Sequence, residues 1–228
     1  EKHDYYLGNF RWTGFDYLGE SFGWPARTAN FGIIDLAGFP KDHYYLYQSL
    51  WSDIPMVHLL PHWTHPGKEG VEIPVVVYTN CESAELFLNG TSLGKKVMGK
   101  ERHLVWMVPY EAGKITAIAY NQEKEMVSKS YQTAQEAYQV KLNVNRKTVN
   151  ANQIDIIRVE VLITDENGIM LPDANYLVEF DIKGPAILLG LENGDILDLT
   201  PHKENYRKTF KGKCLLLLQT TDEKGVIE

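Results

Sequence analysis

The chain has 228 residues, of which 44% are hydrophobic, so it can form one large domain or two smaller ones with real cores. Its formal net charge is -7, which argues against nucleic-acid binding, because phosphate neutralisation needs a clustered excess of Lys and Arg. The sequence contains no run of 18 apolar residues, so no segment is predicted to span a membrane. The two cysteines are predicted to be free thiols rather than part of a disulfide framework.

The first 51 residues predict one strand, one long loop and one helix. The composition of Phe10 to Tyr17 predicts a strand. Residues 18–40 are rich in glycine and contain two prolines, which predicts a structured loop. Pro40 then precedes a stretch with apolar residues at helical spacing, which Ile54-Pro55 ends. Because a buried parallel strand needs neighbours on both sides, we expect this unit to belong to a larger domain in whose interior the chain begins.

From Met56 onward, short strands alternate with turns. Runs at residues 75–78, 85–88, 91–93, 104–108 and 115–120 are typical of strands, and Asn89-Gly90 predicts a two-residue hairpin turn. Short strands at this spacing favour a β-sandwich, which we place at residues 53–133.

A polar joint at residues 134–137 leads to a second region with period-2 alternation. The alternation runs through residues 140–144, 157–163 and 178–182, with turns at 165–168 and 192–195. This pattern predicts a second, immunoglobulin-like sandwich over residues 134–228. Because the chain ends at residues 225–228, where another strand would start, we expect this sandwich to be truncated and to leave one edge unpaired.

Several of these segments resemble the C-terminal part of glycoside hydrolase family 2 enzymes, of the β-galactosidase type found in Bacteroidetes. The first of them is similar to the eighth strand, loop and helix of that family's catalytic (β/α)8 barrel. The later ones are similar to the sandwiches that follow the barrel. The matching segments are Trp12–Glu20, Phe31–Ile33, Gly38–Asp42, Leu60–Trp63, Glu82–Gly90, Glu192–Asp195 and Phe210–Cys214. The fold that the resemblance implies is mainly β: two immunoglobulin-like β-sandwich domains preceded by the last βα unit of a TIM barrel over residues 1–52.

The resemblance implies a parent enzyme that hydrolyses terminal β-galactosides with retention, through two carboxylates about 5 Å apart. No segment matches either carboxylate, so we expect no catalytic residue here, and neither a cofactor nor a metal. The partners implied are a carbohydrate substrate and the upstream barrel portion of the same protein. The sandwiches are candidates for contacts in a homo-oligomer, and the implied location is periplasmic or secreted.

The resemblance also implies that Trp12, Asp16 and Glu20 bind substrate, because barrel active sites lie at the carboxyl ends of the strands. The Trp12 ring would lie against the apolar face of the terminal sugar. Asp16 has two interpretations, a hydrogen bond to a sugar hydroxyl or an ion pair with an Arg in the barrel wall. Glu20 carries less weight, because relatives often have Pro after Gly-Glu where this sequence has Ser21.

Other residues leave alternatives open. Trp24 and Arg27 lie in the long loop, where they would cap the pocket or pack against the next domain. His58, His62 and His65 have a spacing that a metal site could use, but Pro61 prevents helical facing, so we expect loop packing. The alternative function is a non-catalytic carbohydrate-binding or adhesive module that uses Trp63 or Trp106 as a stacking platform.

Overall fold

The computed structural model describes residues 5, 8 and 10–228, and this part of the chain is mainly β. It holds one helix and fifteen strands, arranged in five sheets. The predicted mainly β character is therefore confirmed. A closed (β/α)8 barrel is not present within the described residues. In these residues every pair of neighbouring strands is antiparallel.

The N-terminal segment contains a short hairpin and little other strand pairing. Strand β1 (Tyr17–Leu18) pairs with β2 (Thr28–Ala29), and Phe15 makes a parallel bridge to Ile34. The prediction of a continuous strand over Phe10–Tyr17 is therefore wrong for this structure. A strand forms only where a neighbour supplies ladder hydrogen bonds, and the described part of the chain supplies none to residues 10–13.

The helix α1 (Asp42–Trp51) forms where the sequence predicts it. Lys41 is its N-cap, immediately after Pro40, and Asp42 places a carboxylate in the first turn, where the helix dipole favours negative charge. On the side facing the first sandwich, Tyr45 stacks on His58 with ring centroids 3.8 Å apart. Trp51 is 73% exposed at the end of the helix.

The first sandwich consists of two sheets, one of three strands and one of four. The strand orders are β3-β4-β7 and β6-β5-β8-β9. The strands are β3 (Val57–Leu60), β4 (Glu72–Thr79), β5 (Ser83–Leu88), β6 (Thr91–Val97), β7 (Leu104–Pro109), β8 (Lys114–Asn121) and β9 (Lys124–Gln132).

Alternation along the strands builds the core of this sandwich. In β4 every second residue is buried, and Val75 and Val77 pack against Leu86, Ile115 and other buried residues between the sheets. The predicted hairpin turn is confirmed: Asn89 and Gly90 both have positive φ, 50° and 84°, and join β5 to β6.

The second sandwich has a four-stranded sheet and a two-stranded sheet. The orders are β10-β11-β15-β13 and β12-β14. The strands are β10 (Gln139–Val144), β11 (Ile156–Thr164), β12 (Leu177–Glu179), β13 (Ala186–Glu192), β14 (Tyr206–Lys208) and β15 (Lys213–Thr220). Near the C-terminus, Glu228 exchanges two backbone hydrogen bonds with Lys183 (2.8 and 2.9 Å), and Ile227 packs on the core.

A buried arginine lies within the second sandwich. The guanidinium of Arg207 is inaccessible to solvent and donates to Asp198 Oδ2 at 3.0 Å and to the carbonyl of Leu191 at 2.8 Å. Carbonyls of Thr200 and Pro201 accept further bonds. Because a buried charge is tolerated only when it is paired and hydrogen-bonded, Arg207 fixes the path of residues 191–201.

Candidate functional site

Two of the three predicted site residues are joined by a residue that the sequence did not single out. The indole Nε1 of Trp12 donates to the hydroxyl of Tyr17 at 3.1 Å, and that hydroxyl donates to the Glu20 carboxylate. This bond to Glu20 raises the pKa of Tyr17 above its usual range, so the hydroxyl stays protonated. The Trp12 ring is 69% exposed, which leaves an aromatic face and a carboxylate side by side on the surface.

The third predicted residue, Asp16, forms an ion pair. Its carboxylate is almost fully buried, and Oδ1 accepts from Lys41 Nζ at 2.7 Å and from the amide of Gly32 at 2.9 Å. Of the two interpretations of Asp16, the structure shows the ion pair, with Lys rather than Arg as the partner. Its role in sugar binding stays a prediction.

Gly32 is required where two backbone segments cross beside Asp16. A Cβ at this position would lie 2.2 Å from the Asp16 nitrogen and 2.2 Å from the Phe15 carbonyl carbon. The Asp16 amide also donates to the Ile34 carbonyl at 2.9 Å. The absent side chain thus lets residues 14–16 and 32–34 pack backbone to backbone.

Arg27 ties the long loop to the second sandwich. Its NH2 donates to both carboxylate oxygens of Glu192 at 3.1 Å, and its Nε donates to the carbonyl of Asp198. The NH1 group lies 3.4 Å from His202 Nε2, and the Arg27 amide donates to the Ile196 carbonyl at 3.0 Å. Of the two interpretations of this loop, Arg27 therefore supports packing against the next domain, whereas Trp24 is 83% exposed.

A cleft of about 520 Å³ separates Asp16 and Lys41 from the second sandwich. On the sandwich side lies Lys213, whose ammonium is 4.2 Å from the Phe39 ring centroid. Burial raises the pKa of Asp35 and lowers the pKa of Lys213, because both charged groups are partly removed from water. Charges of both signs thus line the cleft.

The three histidines do not form a metal site. His58 Nε2 lies 2.8 Å from Asp42 Oδ1, and His65 Nε2 lies 2.8 Å from the carbonyl of His62. Burial lowers the pKa of His62. No group of three or more His, Cys, Asp or Glu side chains in the described ranges has a geometry that could hold an ion. No helix in the same ranges is long and apolar enough to cross a membrane.

The stacking platform proposed for the alternative function is wrong. Trp63 is 1% exposed and Trp106 is 4% exposed, because both rings lie in the core of the first sandwich. Their indole nitrogens donate to the backbone carbonyls of Glu111 and Gly94, at 2.9 and 3.2 Å. With its ring buried and its polar atom satisfied, neither residue can stack on a sugar.

Comparison with known proteins identifies the family. Residues 140–228 match the model described as glycoside hydrolase family 2 C-terminal domain 5, and residues 70–127 match a domain of unknown function, DUF4982. The chain therefore carries a C-terminal domain of glycoside hydrolase family 2. This domain contains Arg207, the Glu192 that pairs with Arg27, and the sheet that packs against the long loop.

Proteins that are similar to this chain are named as glycosidases. The chain is 40% identical over 227 residues to the protein named β-galactosidase BoGH2A from Bacteroides ovatus, covering 98% of this chain and 26% of that protein. A protein named β-glucuronidase from Formosa agariphila is 27% identical over 163 residues, or 70% of this chain and 16% of its own length.

A solved structure shows the same fold. The crystal structure of a β-glycosidase from Bacteroides vulgatus superposes with a TM-score of 0.92 and 52% sequence identity, covering 96% of this chain and 28% of that one. The chain thus spans about a quarter of the length of these two Bacteroides proteins.

Sequence reasoning missed Tyr17, Lys41 and Glu192. Tyr17 lies three residues before Glu20 and five after Trp12, so a local signal existed in the motif itself. Lys41 and Glu192 pair with residues 25 and 165 positions away, and nothing local in the sequence marks them.

Proposed function

We propose that the chain is the C-terminal part of a retaining family 2 glycosidase that hydrolyses terminal β-galactosides. In this proposal residues 1–52 supply the last strand, loop and helix of a (β/α)8 catalytic barrel. Residues 53–133 and 134–228 are accessory sandwiches that support it. The glycosidase names of the relatives and the contacts of Arg27 with the second sandwich support this arrangement.

The observation that carries the proposal is the pairing of an exposed indole with a carboxylate through Tyr17. A pyranose presents an apolar C–H face and a polar rim of hydroxyls, so it needs an aromatic surface with hydrogen-bonding groups beside it. Trp12 stacks on the apolar face of the terminal sugar, and the free oxygen of Glu20 accepts from a hydroxyl. Tyr17 fixes the distance between the two groups.

In this proposal Asp16 acts as a positioning residue. Its ion pair with Lys41 and its bond to the Gly32 amide hold the strand end against the loop from which the pocket is built. The retaining mechanism requires two carboxylates that flank the scissile bond. Because no segment of this chain matches either one, the proposal assigns both the nucleophile and the acid/base to the upstream barrel portion.

Turnover of a chromogenic β-galactoside tests the proposal. We expect the 228-residue chain alone to be inactive and a mixture with the upstream portion to be active. In that mixture Trp12→Ala should lower kcat/KM by about a hundredfold through lost sugar positioning. Trp51→Ala, which removes an equally exposed ring from α1, is the matched control.

Two results would contradict this function. Turnover by the chain alone would show that it contains catalytic groups. An unchanged kcat/KM of the mixture with Trp12→Ala would show that Trp12 does not line the pocket. A chromogenic β-glucuronide, run in parallel, decides between the two sugars in the relatives' names: we expect the galactoside to be the better substrate.

A further inference from the structure

A groove of about 680 Å³ runs along the junction of the two sandwiches, away from Trp12 and its neighbours. Three separate segments line it: residues 64–66 of the first sandwich, the joint at 134–136, and the loop at 171–176 of the second sandwich. We call it the junction groove. Because each sandwich contributes a wall, the groove exists only when both are folded and docked.

The backbone of both walls is fixed by hydrogen bonds. Thr209 holds the loop at Tyr176, accepting from its amide at 2.9 Å and donating its own amide to the Tyr176 carbonyl at 2.8 Å. On the opposite side the Ala134 amide donates to Thr64 Oγ1 and the Gln135 amide to Asp165 Oδ2, both at 2.9 Å. A ligand would therefore meet a preformed surface.

The lining of this groove mixes apolar and polar side chains, and four of the polar ones have no partner among the described residues. The amides of Gln135 and Asn175 and the carboxylates of Glu136 and Asp173 make no hydrogen bond or ion pair within the described residues. Each is a planar group that can bind two neighbouring hydroxyls at once.

Tyr176 adds an aromatic ring to the same groove. Its backbone is held at both polar groups by Thr209, yet the residue is 52% exposed. A fixed backbone with an open ring provides a stacking surface that costs little conformational entropy on binding.

We propose that the junction groove is a second carbohydrate-binding site, specific for a neutral oligosaccharide. Tyr176 stacks on the apolar face of one sugar ring, and the free amides and carboxylates bind hydroxyls of that ring and its neighbour. The proposal does not rest on the assignment of a β-galactosidase activity, because the groove contains none of the residues assigned to that pocket.

The charge of the groove sets the ligand class. Glu136 and Asp173 bring two negative charges, and no Lys or Arg lines the groove to offset them. Two carboxylates that line one groove without a cation repel a further negative charge, so acidic sugars such as uronates are disfavoured. The hydroxyls of neutral sugars, by contrast, are good donors to carboxylates.

Isothermal titration of the 228-residue chain with a neutral β-galacto-tetrasaccharide and with tetragalacturonate tests the site. We expect measurable binding of the neutral probe and none of the acidic one. Tyr176→Ala should weaken binding about tenfold or more, and Tyr176→Phe should retain it because the ring persists. Tyr206→Ala, a partly exposed tyrosine on β14 outside the groove, is the matched control.

Trp12→Ala separates the two sugar sites: binding that this variant retains does not need Trp12, and its loss in Trp12→Ala combined with Tyr176→Ala assigns it to the groove. Undiminished binding in Tyr176→Ala would overturn the proposal, whether or not Trp12→Ala loses it. So would tighter binding of the uronate, or no heat with either probe at millimolar concentration. Unfolding curves of Tyr176→Ala matching wild type show that lost binding is not lost folding.

Discussion

The first sandwich and the segment before it use aromatic residues in opposite ways. In the sandwich Trp63 and Trp106 are buried between sheets whose strands are paired along their length. In residues 10–24 the large apolar side chains of Phe10, Trp12 and Trp24 are exposed, and polar contacts hold the backbone. The sandwich thus completes its own core, whereas the N-terminal segment presents an apolar surface and is tied to the two sandwiches through α1 and Arg27.

The largest expected effect distinguishes a buried tryptophan of the first sandwich from an exposed one in the N-terminal segment. We expect Trp63→Ala to lower the free energy of unfolding by about 3 to 5 kcal/mol, because it opens a cavity in a closed core. Trp12→Ala, which removes an exposed ring, should change it by less than about 0.5 kcal/mol. Urea denaturation followed by far-UV circular dichroism measures both. Equal losses would show that the Trp12 ring is packed as core.

The ion pair under the long loop gives the next largest effect. Lys41→Met leaves the Asp16 carboxylate buried without its partner, so we expect a loss of about 3 kcal/mol. Asp16→Asn combined with Lys41→Met should recover part of that loss, since no uncompensated charge remains. Lys95→Met, which breaks an ion pair with the exposed Glu123, is the control and should cost no more than about 0.5 kcal/mol.

The contact between the loop and the second sandwich depends on Arg27. Arg27→Met removes the bonds to Glu192 and Asp198, so we expect a loss of about 2 kcal/mol and faster proteolysis within residues 19–27. The surface change Lys183→Met serves as the control. If both variants are cleaved at the wild-type rate, Arg27 does not hold the loop.

A smaller effect depends on pH. Burial alone would raise the pKa of Asp198, but hydrogen bonds from Thr200 and Arg207 outweigh it and lower that pKa. A lowered folded-state pKa contributes stability above the unfolded value of about 3.9 and loses it as pH falls through the folded value. Between pH 7 and pH 3 the stability gap between wild type and Asp198→Asn should therefore narrow. A gap independent of pH would contradict this account of Asp198.

The sequence predicted what local rules determine and missed what long-range partners determine. The Asn89-Gly90 turn and the helix after Pro40 follow from the conformational preferences of a few adjacent residues, and both are confirmed. The pairing of Asp16 with Lys41 joins residues 25 apart, and the sequence contains many lysines that could have served.

Tryptophan burial was harder still to predict. In β7 the residues on either side of Trp106 are Val105 and Met107, both apolar, so no alternation marked the buried face. Only the position of β7 beside β4 assigns the ring to the core. Trp12 is exposed because no neighbouring element among the described residues covers its ring, and its residue type alone does not predict that exposure.

Amide hydrogen exchange across residues 10–18 tests the central claim, that this segment is one strand of a larger catalytic barrel. The measurement compares the 228-residue chain with the longer protein that carries the upstream portion, using Val75 to Val77 of β4 as an internal reference. We expect exchange to be fast in the chain alone and to slow to the rate of the reference in the longer protein, because barrel neighbours pair the backbone on both sides. Equally fast exchange in both proteins would contradict the account.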